Sequence, residues 1–176
     1  MSELKVLRPD ARPSTDITRL VAAPRGPLAG ARLTVIDNGK PRAGELLVGI
    51  GQHLIEQYGV ASVTKFSKPS ASRPITDEQV AELAASADIF LTGLGDCGGC
   101  SACSLQDALL MERAGRPATV VISEPFQGRI ASYSAKLGAP GYAVTVVPHP
   151  VSSRSEEYLA DLALRMTETV AGHLGS

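Results

Sequence analysis

A chain of 176 residues, 44% of them hydrophobic, fits one domain with a sizeable buried core. Its 17 basic side chains against 18 acidic ones leave a formal charge of −1, so no clustered basic excess marks it for nucleic acid or a membrane surface. Only 4% of residues are aromatic and none is Trp, which argues against stacking on bases or sugars as the main mode of recognition. No apolar run approaches the roughly 18 residues of a membrane span, and the N-terminus lacks a signal peptide's hydrophobic core. A soluble, cytoplasmic protein is expected. All three cysteines lie between Cys97 and Cys103. An odd, clustered set in a reducing compartment points to redox, metal or nucleophilic chemistry rather than to a disulfide framework.

The first 30 residues are interrupted by Pro9, Pro13, Pro24 and Pro27, with Leu20-Val21-Ala22 as the only apolar cluster. Residues 1–30 read as an N-terminal arm, either wrapping a partner subunit or a second copy of the chain or held loosely as a tail, and 31–176 as a single α/β domain. Leu33 to Ile36 is a short apolar strand ending in the turn Asp37-Asn38-Gly39-Lys40-Pro41. Gly44 to Tyr58 then puts Leu46, Leu47, Ile50, Leu54 and Tyr58 on one helical face. Ala61 to Phe66 reads as a second strand, followed by a polar loop, Ser67 to Pro74. Thr76, with Gln79 three residues on, caps a second helix carrying Val80, Leu83, Ala84 and Ala87.

Ile89 to Thr92 is a third strand that runs through a glycine-rich turn into Cys97-Gly98-Gly99-Cys100-Ser101-Ala102-Cys103 and at once into a helical pattern. Ser101 or Ser104 is a candidate cap for that helix, with Asp107 completing a capping box, and Gly115 is its stop. Ala118 to Ile122 is the fourth strand, leading to Ser123-Glu124-Pro125-Phe126 and a shorter helix with Ile130, Tyr133 and Leu137 inward. Tyr142 to Val147 is the fifth, ending in Pro148-His149-Pro150, after which Ser155 caps a long last helix. Strict alternation of five strands and five helices predicts a three-layer α/β sandwich around a five-stranded parallel sheet, flavodoxin-like or Rossmann-like in strand order. Such sheets place ligands at the carboxyl ends of their strands.

The residues expected at that edge are chemically capable ones. A thiol at a helix start lies near unpaired N–H groups and the positive end of the helix macrodipole, and both favour thiolate. Cys97 is the expected nucleophile or redox thiol, Cys100 the resolving thiol, His149 the proton donor or acceptor, and Glu124 a pocket acid. Asp37, Asn38, Lys40, Gly95, Asp96 and Cys103 are the candidate substrate-binding residues, with Lys40 or the amides of the Cys97 turn facing an anionic group. His53 and His173 read as structural or solvated. Each reading has an alternative: Cys97 and Cys100 as packed small residues, Glu124 as a helix-dipole charge, Asp37 and Lys40 as turn residues. No cofactor is expected, yet the spacing also suits zinc or an iron–sulfur cluster on Cys97, Cys100 and Cys103.

Gly95 to Ser104, Asp107, Met111 to Pro117, Ser123 to Phe126 and Val147 to Pro150 together resemble the UGSC family, proteins and selenoproteins named for a selenocysteine-Gly-Ser-Cys motif. The resemblance runs from about Leu33 to Val151 and puts Cys97 at the selenocysteine position and Cys100 at the motif cysteine, with Gly99 replacing Ser. It implies redox or nucleophilic use of Cys97. The strand–Cys-x-x-Cys–helix part alone is also similar to the selenocysteine-bearing subunit of glycine and sarcosine reductases. The leading expectation is a thiol-dependent enzyme acting on a small polar molecule. A non-redox cysteine lyase or hydrolase, or a metal- or cluster-carrying subunit of a larger complex, is the alternative.

Overall fold

The structure is a computed structural model that describes Leu20 and residues 22–175. In chain order its elements are β1 (Arg32–Asp37), α1 (Ala43–Tyr58), β2 (Ser62–Ser67), α2 (Asp77–Ser86), β3 (Ile89–Gly95), α3 (Gly98–Arg113), β4 (Ala118–Ser123), a 3-10 turn (Glu124–Phe126), α4 (Gln127–Lys136), β5 (Thr145–Val147) and α5 (Glu156–Leu174). The strands form one sheet in the order β2-β1-β3-β4-β5, every neighbouring pair parallel. This is the flavodoxin-like doubly wound order, with its switch point between β1 and β3. No helix among the described residues is long and apolar enough to cross a membrane.

Two cores follow from the period-two alternation of the strands. Leu33, Val35, Leu91 and Val121 pack with Leu46, Leu47, Ile50 and Leu54 of α1 and with Leu159 and Leu162 of α5. Ile36, Phe90, Val120 and Ile122 pack instead with Leu83 of α2, Leu105 and Leu109 of α3, and Ile130 of α4. β3 and β4 are buried along their whole length, as the uninterrupted apolar runs require. The edge strand β2 is largely exposed, which its sequence Ser-Val-Thr-Lys-Phe-Ser allows. Thr76 and Gln79 form the expected reciprocal capping box, and the Ser155 hydroxyl caps α5 by accepting from the Tyr158 N–H.

The structure departs from the sequence reading at two places. α3 begins at Gly98, with Cys97 as its N-cap, so Ser101 and Ser104 lie inside the helix and are buried. Their hydroxyls turn inward: that of Ser101 donates to the Cys97 carbonyl (2.6 Å), and that of Ser104 meets the Asn38 amide (3.1 Å). β5 spans three residues rather than six, because side chains hold the approach to it. The Tyr142 hydroxyl donates to the Ala118 carbonyl (2.6 Å), and the Thr119 hydroxyl donates to that of Ala143 (3.3 Å).

The end of the arm packs on the domain. Residues 1–19 and 21 lie outside the described residues, but 22–30 are packed on the domain, with Ala23 and Leu28 buried. The fully buried Glu112 carboxylate near the end of α3 accepts from the Ala23 N–H (2.7 Å), the Ala118 N–H (2.9 Å) and both terminal nitrogens of Arg25 (2.6 and 3.1 Å). Arg25 Nε also donates to the His173 carbonyl at the end of α5 (2.9 Å).

Two predictions follow from this amino-terminal edge of the sheet. Glu112→Ala strands two N–H donors and a guanidinium, so urea unfolding should show a loss of about 3 kcal/mol with the slope unchanged. His173 is half-buried, its Nδ1 within 3.2 Å of the Thr119 hydroxyl and 3.3 Å of the Thr145 hydroxyl. Burial, and secondarily the Arg25 charge, lowers its pKa below 6.5. The unfolded chain then binds that proton more tightly, so this contribution to stability is complete above about pH 6.5 and is lost as pH falls. His173→Gln should flatten that slope in a melting series between pH 7 and 5.

Candidate active site at the Cys97 turn

The chain leaves β3 at Gly95, passes Asp96, and enters α3 with Cys97 in extended backbone at the N-cap. A helix that starts there brings its third residue back over the cap, and Cys97 and Cys100 form a disulfide with Cα atoms 5.5 Å apart. The Cys100 N–H points at Cys97 Sγ (3.2 Å). The two sulfurs differ in access. Cys100 is 2% exposed, whereas Cys97 is only partly covered. On reduction, Cys97 is the more accessible of the two thiols, and it stands at a helix N-terminus.

His149, from the loop after β5, reaches the same turn. Its Nδ1 is 2.9 Å from Asp96 Oδ1, in a carboxylate whose side chain is 4% exposed. The Ser123 hydroxyl, at the end of β4, donates to the same oxygen (2.8 Å) and lies 3.1 Å from Nδ1. A buried acceptor facing Nδ1 assigns the proton to that nitrogen and leaves Nε2 as the one available to a substrate. Phe126 sits edge-on to the ring, with centroids 6.0 Å apart. Asp96 is thus a link between Cys97 and the imidazole, and Ser123 is a site residue that the sequence reading placed at the edge without assigning it a role.

The other candidates fall into three positions. Asp37 Oδ1 accepts from the Gly39 N–H (2.9 Å), and its carboxylate lies 3.7 Å from Lys65 Nζ. Asn38 is buried, its amide donating to the Leu94 carbonyl (2.8 Å) and to the Ser104 hydroxyl (3.1 Å), while its Oδ1 accepts from the Lys40 N–H (3.2 Å). These bonds close the switch point between β1 and β3. Gly95 is a packing position: a Cβ there would come within 2.7 Å of Ile122 Cγ2 and 2.8 Å of Ser101 Oγ. Glu124 opens the 3-10 turn and is exposed.

Cys103 lies further along α3, half-buried beside the ion pair of Lys68 and Asp107. That pair is almost wholly enclosed, and Asp107 also accepts the Ile75 N–H (2.8 Å), so the loop between β2 and α2 is locked onto α3. Asp107, a capping-box candidate by sequence, serves here as a tertiary anchor. Burial pushes the Cys103 thiol's pKa up, with Lys68 opposing and Asp107 adding to the shift. Among the described residues no three His, Cys, Asp or Glu side chains converge in a way that could hold a metal ion.

The sheet order and the site together define a doubly wound α/β protein with a Cys-x-x-Cys pair at a strand–helix turn, faced by a carboxylate-oriented histidine. The model of the UGSC family matches residues 5–176, and the chain belongs to that family. No curated protein matches it. Among solved structures it is similar to the flavodoxin-like domain of a Synechococcus sp. protein, at 13% identity and TM-score 0.40 over 80% of this chain and 99% of that one. It is also similar to a diflavin flavoprotein A3 from Nostoc sp., at 14% identity and TM-score 0.44 over 80% and 91%.

In the oxidised protein Cys103 is the one free thiol of the three cysteines. Its raised pKa predicts iodoacetamide labelling at pH 8 several-fold slower than that of a free cysteine derivative, catching up as pH rises. Intact mass against time would check this, and labelling as fast as the free thiol would contradict it.

Proposed function

We propose that the protein is a thiol-dependent enzyme that reduces a bond in a small polar molecule, working as a cytoplasmic dithiol–disulfide couple. The observation that carries this reading is the pairing of an accessible Cys97 sulfur with an enclosed Cys100 sulfur, beside an imidazole oriented by Asp96. In the reduced state the Cys97 thiolate attacks one atom of the substrate bond, and the other fragment leaves with the electron pair and takes a proton from His149. Cys100, deprotonated, then attacks the Cys97 sulfur. The Cys97–Cys100 bond forms, and the fragment held on Cys97 leaves with its electron pair and is protonated. Two thiols are oxidised and one substrate bond is reduced by two electrons. A dithiol reductant, itself becoming a disulfide, restores the starting state.

Helix position supports the order of attack. Cys97 is at the cap, where the macrodipole and free N–H groups favour negative charge, while Cys100 has its sulfur directed back at Cys97. A non-redox covalent enzyme would need Cys97 and His149 but not Cys100, and this separates the two readings.

The test uses reduced protein and bis(2-hydroxyethyl) disulfide as the probe. Cys100→Ser should accumulate a stable mixed disulfide at Cys97, located by peptide mapping. The unaltered protein should pass through that adduct to the internal disulfide. Cys97→Ser should react at residue 100 at least about tenfold more slowly, because that sulfur is enclosed. Equal reactivity of the two positions, or no adduct at Cys97, would overturn the proposal.

A further inference from the structure

We infer that Arg129 is a specificity-determining residue that anchors a carboxylate of the substrate beside Cys97, an inference that rests on the thiol-enzyme reading above. Arg129 lies in the first turn of α4, reached through the loop that leaves β4, and is exposed. Its guanidinium does not extend into solvent away from the fold; it lies against the backbone of Gly98, the residue after Cys97. A Cβ on residue 98 would sit 2.6 Å from Arg129 Nη1 and 3.5 Å from Cζ. A Cβ there would push the flexible arginine tip aside, so glycine at the first position of the Gly-Gly pair between the cysteines leaves room for a permanent positive charge to settle next to that turn.

Among the described residues no carboxylate pairs with that charge. Most other described arginines are engaged: Arg25 with Glu112, Arg32 and Arg116 with Asp88, Arg42 with Glu45, Arg165 with Asp161. Arg129 makes no ion pair or hydrogen bond among the described residues. A guanidinium presents a planar fork of donors that matches a carboxylate in two parallel bonds, and it stays charged at any working pH. Lys68, which meets α3 further along the helix, is consumed by Asp107. A guanidinium without an ion-pair partner among the described residues suits an oxyanion such as a carboxylate. The predicted substrate therefore carries a carboxylate near its thiol-reactive atom.

Iodoacetate and iodoacetamide differ only in that carboxylate. In each, the Cys97 thiolate forms a carbon–sulfur bond as iodide leaves with the carbon–iodine pair, so loss of thiolate slows both reagents alike. The ratio of their rates at Cys97 isolates the anchor. With reduced protein, the iodoacetate to iodoacetamide ratio should exceed that of free N-acetylcysteine, and acetate should protect Cys97 against both. Arg129→Gln should lower the ratio about tenfold, the scale of one charge-assisted hydrogen bond, and abolish protection by acetate. Gly98→Ala, which displaces the guanidinium without removing it, should do the same. Arg129→Lys should retain part of the preference. A ratio unchanged within about twofold in Arg129→Gln and Gly98→Ala, with Cys97 still reacting, would overturn the role of Arg129 alone. If Cys97 reacts with neither reagent, the thiol reading falls and the anchor falls with it.

Discussion

One buried carboxylate holds the carboxyl edge of the sheet together. Asp96 continues directly from β3, takes the hydroxyl of Ser123 at the end of β4, and takes Nδ1 of His149 beyond β5. Removing a carboxylate from water is costly unless its oxygens are bonded, so the histidine loop and the β4 end stabilise Asp96 as much as it orients them. The neighbouring residue is Cys97. Whatever fixes Asp96 therefore also fixes the helix cap on which the outward sulfur stands.

The frame around that carboxylate is polar, buried and fully bonded. Asn38 closes the gap between β1 and β3 and reaches α3 through Ser104, and Lys68 with Asp107 pins the next loop onto the same helix. No buried side-chain nitrogen or oxygen among the described residues is left without a partner. Several of these groups that look like ligand-binding residues on paper spend their hydrogen bonds on one another. What they provide is a rigid seat for the Cys97 turn and the His149 loop, while Cys97, His149 and Arg129 remain at least partly accessible.

The opposite edge follows the same logic with another carboxylate. Glu112 gathers Arg25, Ala23 and Ala118, and so fastens the segment preceding β1 across the amino end of β4. The cysteine helix runs between these two polar anchors, with Cys97 capping one end and Glu112 near the other. Its register is set at both ends, and this bears directly on where the disulfide lies.

Much of this architecture is written locally. The alternation of short apolar strands with amphipathic helices, the Thr76 and Ser155 caps, and the left-handed stop at Gly115 depend on residues within a few positions of one another. Local spacing likewise put Cys97 and Cys100 on one helical turn and placed His149 at a strand end. The start of α3 was not legible, because Ser101 and Ser104 are good caps in isolation and are drawn inward only by Cys97 and Asn38, the latter more than sixty residues away. Nor were the pairings of Asp107 with Lys68, Glu112 with Arg25 and Asp96 with His149, or the seating of Arg129 on Gly98. The amino-acid order by itself determined the fold class and the proximity of Cys97 to Cys100, since propensity, periodicity and capping act over short range. Tertiary structure alone decided which polar side chains were consumed as internal partners and which stayed open, because that depends on groups brought together only when the strand ends converge.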